Sequence, residues 1–201
     1  MMEKAMDKKR MMFKVVFLFL FHLGLYLFIV NGYFFLSGYL SVKPMDDVSI
    51  VSVSEAKTKA AYQQYKKIDQ KIPVVGEEYA TLVIPKLNAS IPVFYGVEEE
   101  QLRKGVGHIP QTAMPGEQNN TVLSGHRDTV FRKLGELDVG DDLSIVTDHS
   151  VFTYVIRKIR VVDKNDTTVV VPKPKATLTV TTCYPFQFIG NAPNRYVLIA
   201  D

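Results

Sequence analysis

From Val15 to Leu36 the sequence reads VVFLFLFHLGLYLFIVNGYFFL, twenty-two residues without one Asp, Glu, Lys or Arg. A helix that is apolar all round needs an apolar surrounding, either a large core or a bilayer. At ~1.5 Å per residue the run reaches ~33 Å, enough to cross a hydrocarbon layer of ~30 Å. A cleaved signal peptide has a shorter apolar region, about 7–15 residues, closed by small residues. This run is longer and closes on Phe34, Phe35 and Leu36, so it reads as an uncleaved single-pass anchor. His22 stands inside it with Asn31 as a polar companion, and reads as a neutral imidazole turned to a neighbour rather than a functional group.

Charge gives the anchor a direction. The chain holds 24 Lys and Arg against 21 Asp and Glu. Lys4, Lys8, Lys9, Arg10 and Lys14 face only Glu3 and Asp7 in residues 1–14, so the whole excess of three lies there and the rest is neutral. Positive flanks stay cytoplasmic, which places the remainder of the chain outside the cell membrane. A nucleic-acid partner is excluded on the same count, because binding phosphates needs positive charge spread over a folded face.

After the anchor, 37–78 reads as a stalk. Ser54 followed by EAKTKAAYQQYKKID predicts an N-capped helix with a thin stripe of Ala56, Ala60, Tyr65 and Ile68, and Pro73 follows it. From residue 79 to 201 the pattern becomes short β-branched runs between turn residues: TLVIP, SIPVF, NTVLSG, DLSIVT, VFTYVIRKIRVV, TTVVV, ATLTVTT and RYVLIA. Eight such runs predict an all-β domain, an antiparallel sandwich or barrel. Glu98 to Lys104, closed by Gly105, and Phe131 to Leu137 predict short helical turns. The division is a basic tail (1–14), an anchor (15–36), a stalk (37–78) and a β-domain (79–201).

The chain has one cysteine, Cys183, so no intrachain disulfide supports the fold. Cys183 ends the run ATLTVTTC, and Tyr184-Pro185 forces the backbone out of the sheet at once. A side chain at such a junction is held firmly and remains reachable. A histidine in SGHRD ends an earlier run, and an arginine in APNRYVLIA opens the last one. An imidazole or guanidinium nearby favours the reactive thiolate, and a fixed guanidinium can donate to the oxyanion of an attacked carbonyl. Three such groups at three strand ends form a coherent set for acyl transfer; a buried, inert Cys183 in a partner-binding β-domain is the competing reading.

The ordered motifs SGHRDT, TVTTCYPF and GNAPNRYVLIA, with GVGHIPQTAMPGE before them, resemble the sortase family, the membrane-bound cysteine transpeptidases of Gram-positive bacteria, across 80–200. The resemblance implies an eight-stranded sortase-type β-barrel with short helices behind one N-terminal transmembrane helix. It implies that Cys183 attacks the threonine carbonyl of an LPxT-type sorting signal and forms a thioester. His126 would serve as general acid and base, and Arg195 would hold the substrate and its oxyanion. The implied partners are surface proteins with C-terminal sorting signals and a peptidoglycan precursor or other amine. The family's Thr-Leu-x-Thr-Cys stands here as Thr179-Val180-Thr181-Thr182-Cys183, and Val fits the Leu position at small cost. The CYPFxxIGNAPxRY stretch with a single N-terminal anchor most resembles class D, which favours LPxTA-like signals.

Thr182 and Asp128 are supporting candidates, Thr182 for orienting the thiol or the substrate backbone and Asp128 for orienting His126. His108, in GVGHIP, reads as structural, and His149, in the turn TDHS, as solvent-exposed. Glu98 to Glu100 and Asp141-Asp142 read as charged surface rather than calcium ligands, which need six to eight convergent oxygens, so no metal or other cofactor is expected. An extracellular cysteine peptidase fits less well, because papain-like and cell-wall amidase families place Cys before His, and here His126 precedes Cys183.

Overall fold

The computed structural model describes residues 2–45, 72–187 and 190–201, and the chain divides into two compact units, Met1–Ser37 and Gly38–Asp201. The first is most of α1, Met2–Leu40, which begins before the uncharged run and continues past it. Its apolar side chains, Phe13, Phe28 and Tyr33 among them, point outward, as a helix built for an apolar surrounding requires. His22 Nδ1–H donates to the Leu18 carbonyl at 2.7 Å, and Asn31 Nδ2 donates to Leu27 at 2.7 Å. Both polar side chains thus bond to their own helix backbone. The helix expected from Ser54 lies outside the described residues.

The second unit contains a closed eight-stranded barrel. Its strands are β1 (Glu78–Ile84), β2 (Ala89–Tyr95), β3 (Val106–His108), β4 (Asn120–Ser124), β5 (Asp142–Thr147), β6 (Val151–Asp163), β7 (Thr177–Tyr184) and β8 (Asn194–Ala200), in the order β1-β2-β3-β4-β7-β8-β6-β5. One short helix, α2 (Glu99–Lys104), and 3-10 turns at Pro85–Leu87 and Leu134–Glu136 interrupt the strands, where the sequence predicted two helical turns. Alternation sends Leu82, Ile91, Ile145, Leu178, Val180 and Leu198 into the barrel interior, all but inaccessible to solvent.

Two features differ from the sequence-based expectation. The barrel is not wholly antiparallel, since β2 with β3 and β4 with β7 pair in parallel. The count of eight also holds through different members. TTVVV forms no strand: Val169 packs outside the wall against Val162 and Val197, and the buried Asn120 amide donates to the carbonyls of Val169 and Val171 at 3.2 and 2.9 Å. A side chain therefore satisfies backbone groups that a ladder would otherwise take. Its place is filled by β3, only three residues long, where a Cβ on Gly107 would sit 2.4 Å from the Gly96 carbonyl oxygen. Only glycine permits that approach, and glycine-rich sequence carries little strand signal.

The pairing directions set up the site. β7 runs parallel to β4 and antiparallel to β8, while β3 runs antiparallel to β4 and parallel to β2. The ends of β4 and β7 and the starts of β2, β3 and β8 consequently share one rim.

Candidate active site

Cys183 lies one residue before the end of β7, partly exposed. Pro185 follows β7 and has no N–H for a ladder, so the strand stops there. Across the antiparallel pair Cys183 stands directly opposite Arg195, and opposed residues project to the same face of a sheet. That face is the outer one, because the alternate positions Val180, Tyr196 and Leu198 belong to the interior cluster. Arg195 Nη1 donates to the carbonyls of Asn194 and Ala192 at 3.0 and 3.4 Å, which tethers the guanidinium to the loop entering β8.

On the other side of β7, Ser124 of β4 is in register with Thr181. Two residues beyond each lie His126, just past the end of β4, and Cys183, still on β7, at the same rim. Gly125 N–H extends the ladder to Thr181 O at 3.3 Å. The buried Thr182 hydroxyl donates to Gly125 O at 2.7 Å. The residue before the cysteine is thus tied to the residue before the histidine. Gly125 is required as glycine, because a Cβ there would meet the Phe131 ring at 2.6 Å. The turn after it closes where Phe131 N–H donates to His126 O at 3.0 Å. Three adjacent strands, β4, β7 and β8, therefore bring His126, Cys183 and Arg195 to one stretch of rim.

The sequence falls in line with this geometry, for residues 82–201 match the model of the sortase domain. The chain belongs to the sortase family. It is 43% identical to sortase D of Bacillus subtilis (strain 168) over 148 residues, 73% of this chain and 70% of that protein. Among solved structures, the catalytic domain of B. anthracis SrtD is 43% identical, with a TM-score of 0.56 over 67% of this chain and 92% of that one. A Clostridium perfringens sortase D5 transpeptidase is 27% identical, with a TM-score of 0.58 over 78% of this chain and 98% of that one. The likeness is greatest to class D. Sortases are cysteine transpeptidases, and the chain has a single cysteine to serve.

Around the rim of this sortase lie groups that sequence reasoning missed. Glu99, at the start of α2, brings Oε2 to 3.7 Å from His126 Nε2, while its Oε1 accepts from Arg103 Nε at 2.9 Å. The His126 side chain is 35% exposed, so this is a solvated contact rather than a buried dyad. Asp128 is exposed, and the carboxylate facing the imidazole is that of Glu99. Nothing in the EEE run signals this, since Glu99 reaches His126 only through the packing of α2 on the barrel. Arg127 Nη2 donates to Gly190 O at 2.8 Å, linking the histidine turn to the loop between β7 and β8. Inside the mouth, Tyr184, Phe186 and Tyr196 pack ring against ring, with centroids 5.1–6.1 Å apart.

His108 has a different setting. It is fully buried at the end of β3. The Thr112 hydroxyl spends its proton on the Ile109 carbonyl at 2.7 Å, so it accepts from His108 Nε2–H at 3.1 Å. Nδ1 is then the lone-pair side and accepts from the Tyr79 hydroxyl at 2.9 Å. Burial pushes the His108 imidazole down to about 4, against a smaller opposing contribution from the backbone of Ala113. Burial, and then the neighbouring phenol of Tyr154, push the Tyr79 phenol well above its usual value. His149 is exposed. In the two acidic runs, Glu100 pairs with Lys104 at 2.8 Å and Asp141 with Lys86 at 2.8 Å.

Proposed function

We propose that this sortase cleaves a C-terminal LPxT-type sorting signal after its threonine and passes the acyl group to an amine. The Cys183 thiol passes its proton to His126 and its sulfur attacks the threonine carbonyl carbon, and Arg195 donates hydrogen bonds to the oxyanion that forms. His126 gives a proton to the leaving amine nitrogen as the peptide bond breaks, leaving a thioester on Cys183. The incoming amine then attacks that thioester, His126 takes the amine's proton and passes it to the departing Cys183 sulfur, and the thiol is released. The observation that carries this reading is the register: Cys183 opposite Arg195 on one side, and His126 at the matching end of the parallel neighbour on the other. Thr182 serves as a positioning residue through its bond to Gly125 O. Asp128, two residues after His126, is the other supporting residue.

Likeness to sortase D favours LPxTA over LPxTG as the signal. Surface proteins bearing such signals are the donors, and a peptidoglycan precursor or another amine is the acceptor. Among the described residues, one helix, Arg10–Leu40, is long and apolar enough to cross a membrane, and sortases are generally membrane-anchored. We assign 1–14 to a cytoplasmic tail, 15–36 to the anchor, 37–78 to a stalk and 79–201 to the extracellular catalytic domain, on the charge asymmetry of the tail. The test is incubation of the full chain in detergent with LPxTA and LPxTG peptides and an amine, followed by product mass. Cleavage after Thr, faster for the Ala signal and abolished in Cys183→Ala, is expected. No cleavage of any LPxT peptide would reject the substrate class.

A further inference from the structure

Loop 164–176 joins β6 to β7, and a connection of that length without a strand or helix of its own is uncommon unless it serves the site. It lies against the outer wall of the barrel. Val169 is buried there against Val162 and Val197. Val162 stands opposite Arg195 across β6 and β8, and Val197 is two residues along β8 from Arg195, so both share the face from which the guanidinium projects. Exposure along β7 marks how far that face is covered. Thr177 and Thr179 alternate outward yet are only 4% and 1% exposed, whereas Thr181 and Cys183 on the same face are partly open. The outer face is thus a groove, open over Cys183 and Thr181 and closed from Thr179 onward.

A buried amide holds this cover in place. Asn120, the first residue of β4, is 3% exposed, and its Nδ2 donates to the carbonyls of Val169 and Val171 at 3.2 and 2.9 Å. Its Oδ1 accepts from the Thr179 hydroxyl of β7 at 2.7 Å, which decides which end of the amide faces the loop. Asn119 adds a second tie, its Oδ1 accepting from Lys173 N–H at 3.0 Å. Loop, β4 and β7 therefore meet at one side chain. β4 leads to His126 and β7 to Cys183, so the same amide sets the loop in register with the two strands that bring those residues together. Asparagine suits the task because it offers two donors and an acceptor on one short arm; an aspartate would turn an oxygen against two carbonyls, and a serine would not reach them.

We propose that Asn120 is a positioning residue of this sortase: by pinning 169–171 beside Arg195 it fixes the wall of the groove along which a substrate peptide reaches Cys183. The inference rests on the function proposed above. A loosened wall weakens the hold on the peptide before and during the reaction alike, so KM carries the effect and kcat does not. The test compares the full chain in detergent as wild type, Asn120→Asp and Asn120→Ser, with an LPxTA peptide and an amine, and follows amide hydrogen exchange of 164–176 in the same preparations. Asn120→Asp keeps the volume and the acceptor for Thr179, and Asn120→Ser buries no charge, so either variant alone decides the matter if the other folds poorly. KM should rise about tenfold with kcat within about twofold of wild type. The loop amides should exchange about tenfold faster while those of β4 and β7 keep their protection. Unchanged loop exchange, a faster loop with unchanged KM, or a loss confined to kcat overturns the proposal, as does failure of both variants to fold, which would make Asn120 a stability residue. A wild type that cleaves no LPxT peptide overturns the functional reading and this one together, an outcome distinct from wild-type cleavage that the variants leave unaltered.

Discussion

His108 and His126 sit at the ends of neighbouring strands, yet the barrel treats them in opposite ways. β3 carries His108 into the interior, where Tyr79 and Thr112 take both ring nitrogens and burial holds it neutral. β4 releases His126 just past its last ladder bond, with one-third of its side chain in water and a carboxylate alongside. A histidine whose two nitrogens are both committed has no proton to exchange with a substrate. His126, on the rim with Cys183 and Arg195, is the histidine we propose does so. Position at a strand end is thus insufficient for catalysis; what differs is whether the neighbours leave a nitrogen free to work.

Substitution at both sites should separate the roles. His126→Ala should lower the rate of peptide cleavage on the order of 10²- to 10⁴-fold while moving the urea midpoint of the detergent-solubilised chain very little. His108→Phe keeps a planar aromatic ring but strands the Tyr79 hydroxyl, and should cost about 3 kcal/mol of stability with cleavage per folded molecule largely retained. The reverse pattern would exchange the two assignments.

Acid supplies a second probe of the buried histidine. Its folded-state value of about 4 lies below the ordinary 6.5, so the folded state binds fewer protons than the unfolded state between those limits. The contribution is present in full above pH 6.5 and is lost as pH falls toward 4, a change of up to about 3 kcal/mol. Denaturant titrations across that window should show this slope in the wild type and a shallower one in His108→Phe.

Smaller effects refine the rim. Thr182→Val leaves the Gly125 carbonyl without its 2.7 Å partner and should cost about 1–2 kcal/mol, with a roughly tenfold slower acylation that Thr182→Ser restores. Glu99→Gln should change cleavage only severalfold, and only at low salt, because the pair is solvated. A salt-independent loss would mean that Glu99 fixes the imidazole through geometry instead.

Much of this was legible in the chain. The uncharged run, the β-branched runs of seven strands, and the strand-end placement of Cys183, His126 and Arg195 all follow from local pattern. β3 was not legible because Gly105 and Gly107 serve close backbone approach rather than strand propensity. TTVVV misled because its β-branched residues pack on the outer wall while Asn120, distant in sequence, takes the backbone carbonyls. Glu99 was invisible as a neighbour of His126, since its place depends on how α2 docks. The parallel β4–β7 pair, which aligns His126 with Cys183, joins segments more than fifty residues apart and leaves no periodic trace.

The central claim is that Cys183 carries the acyl group and that His126, not His108, moves the proton. Intact-protein mass of the full chain mixed with excess LPxTA peptide and no amine tests it in a single turnover. The account predicts an added acyl mass on Cys183 in the wild type and in folded His108→Phe, and none on the same timescale in His126→Ala. Acylation of His126→Ala at the wild-type rate, or an acyl mass that persists in Cys183→Ala, would contradict it.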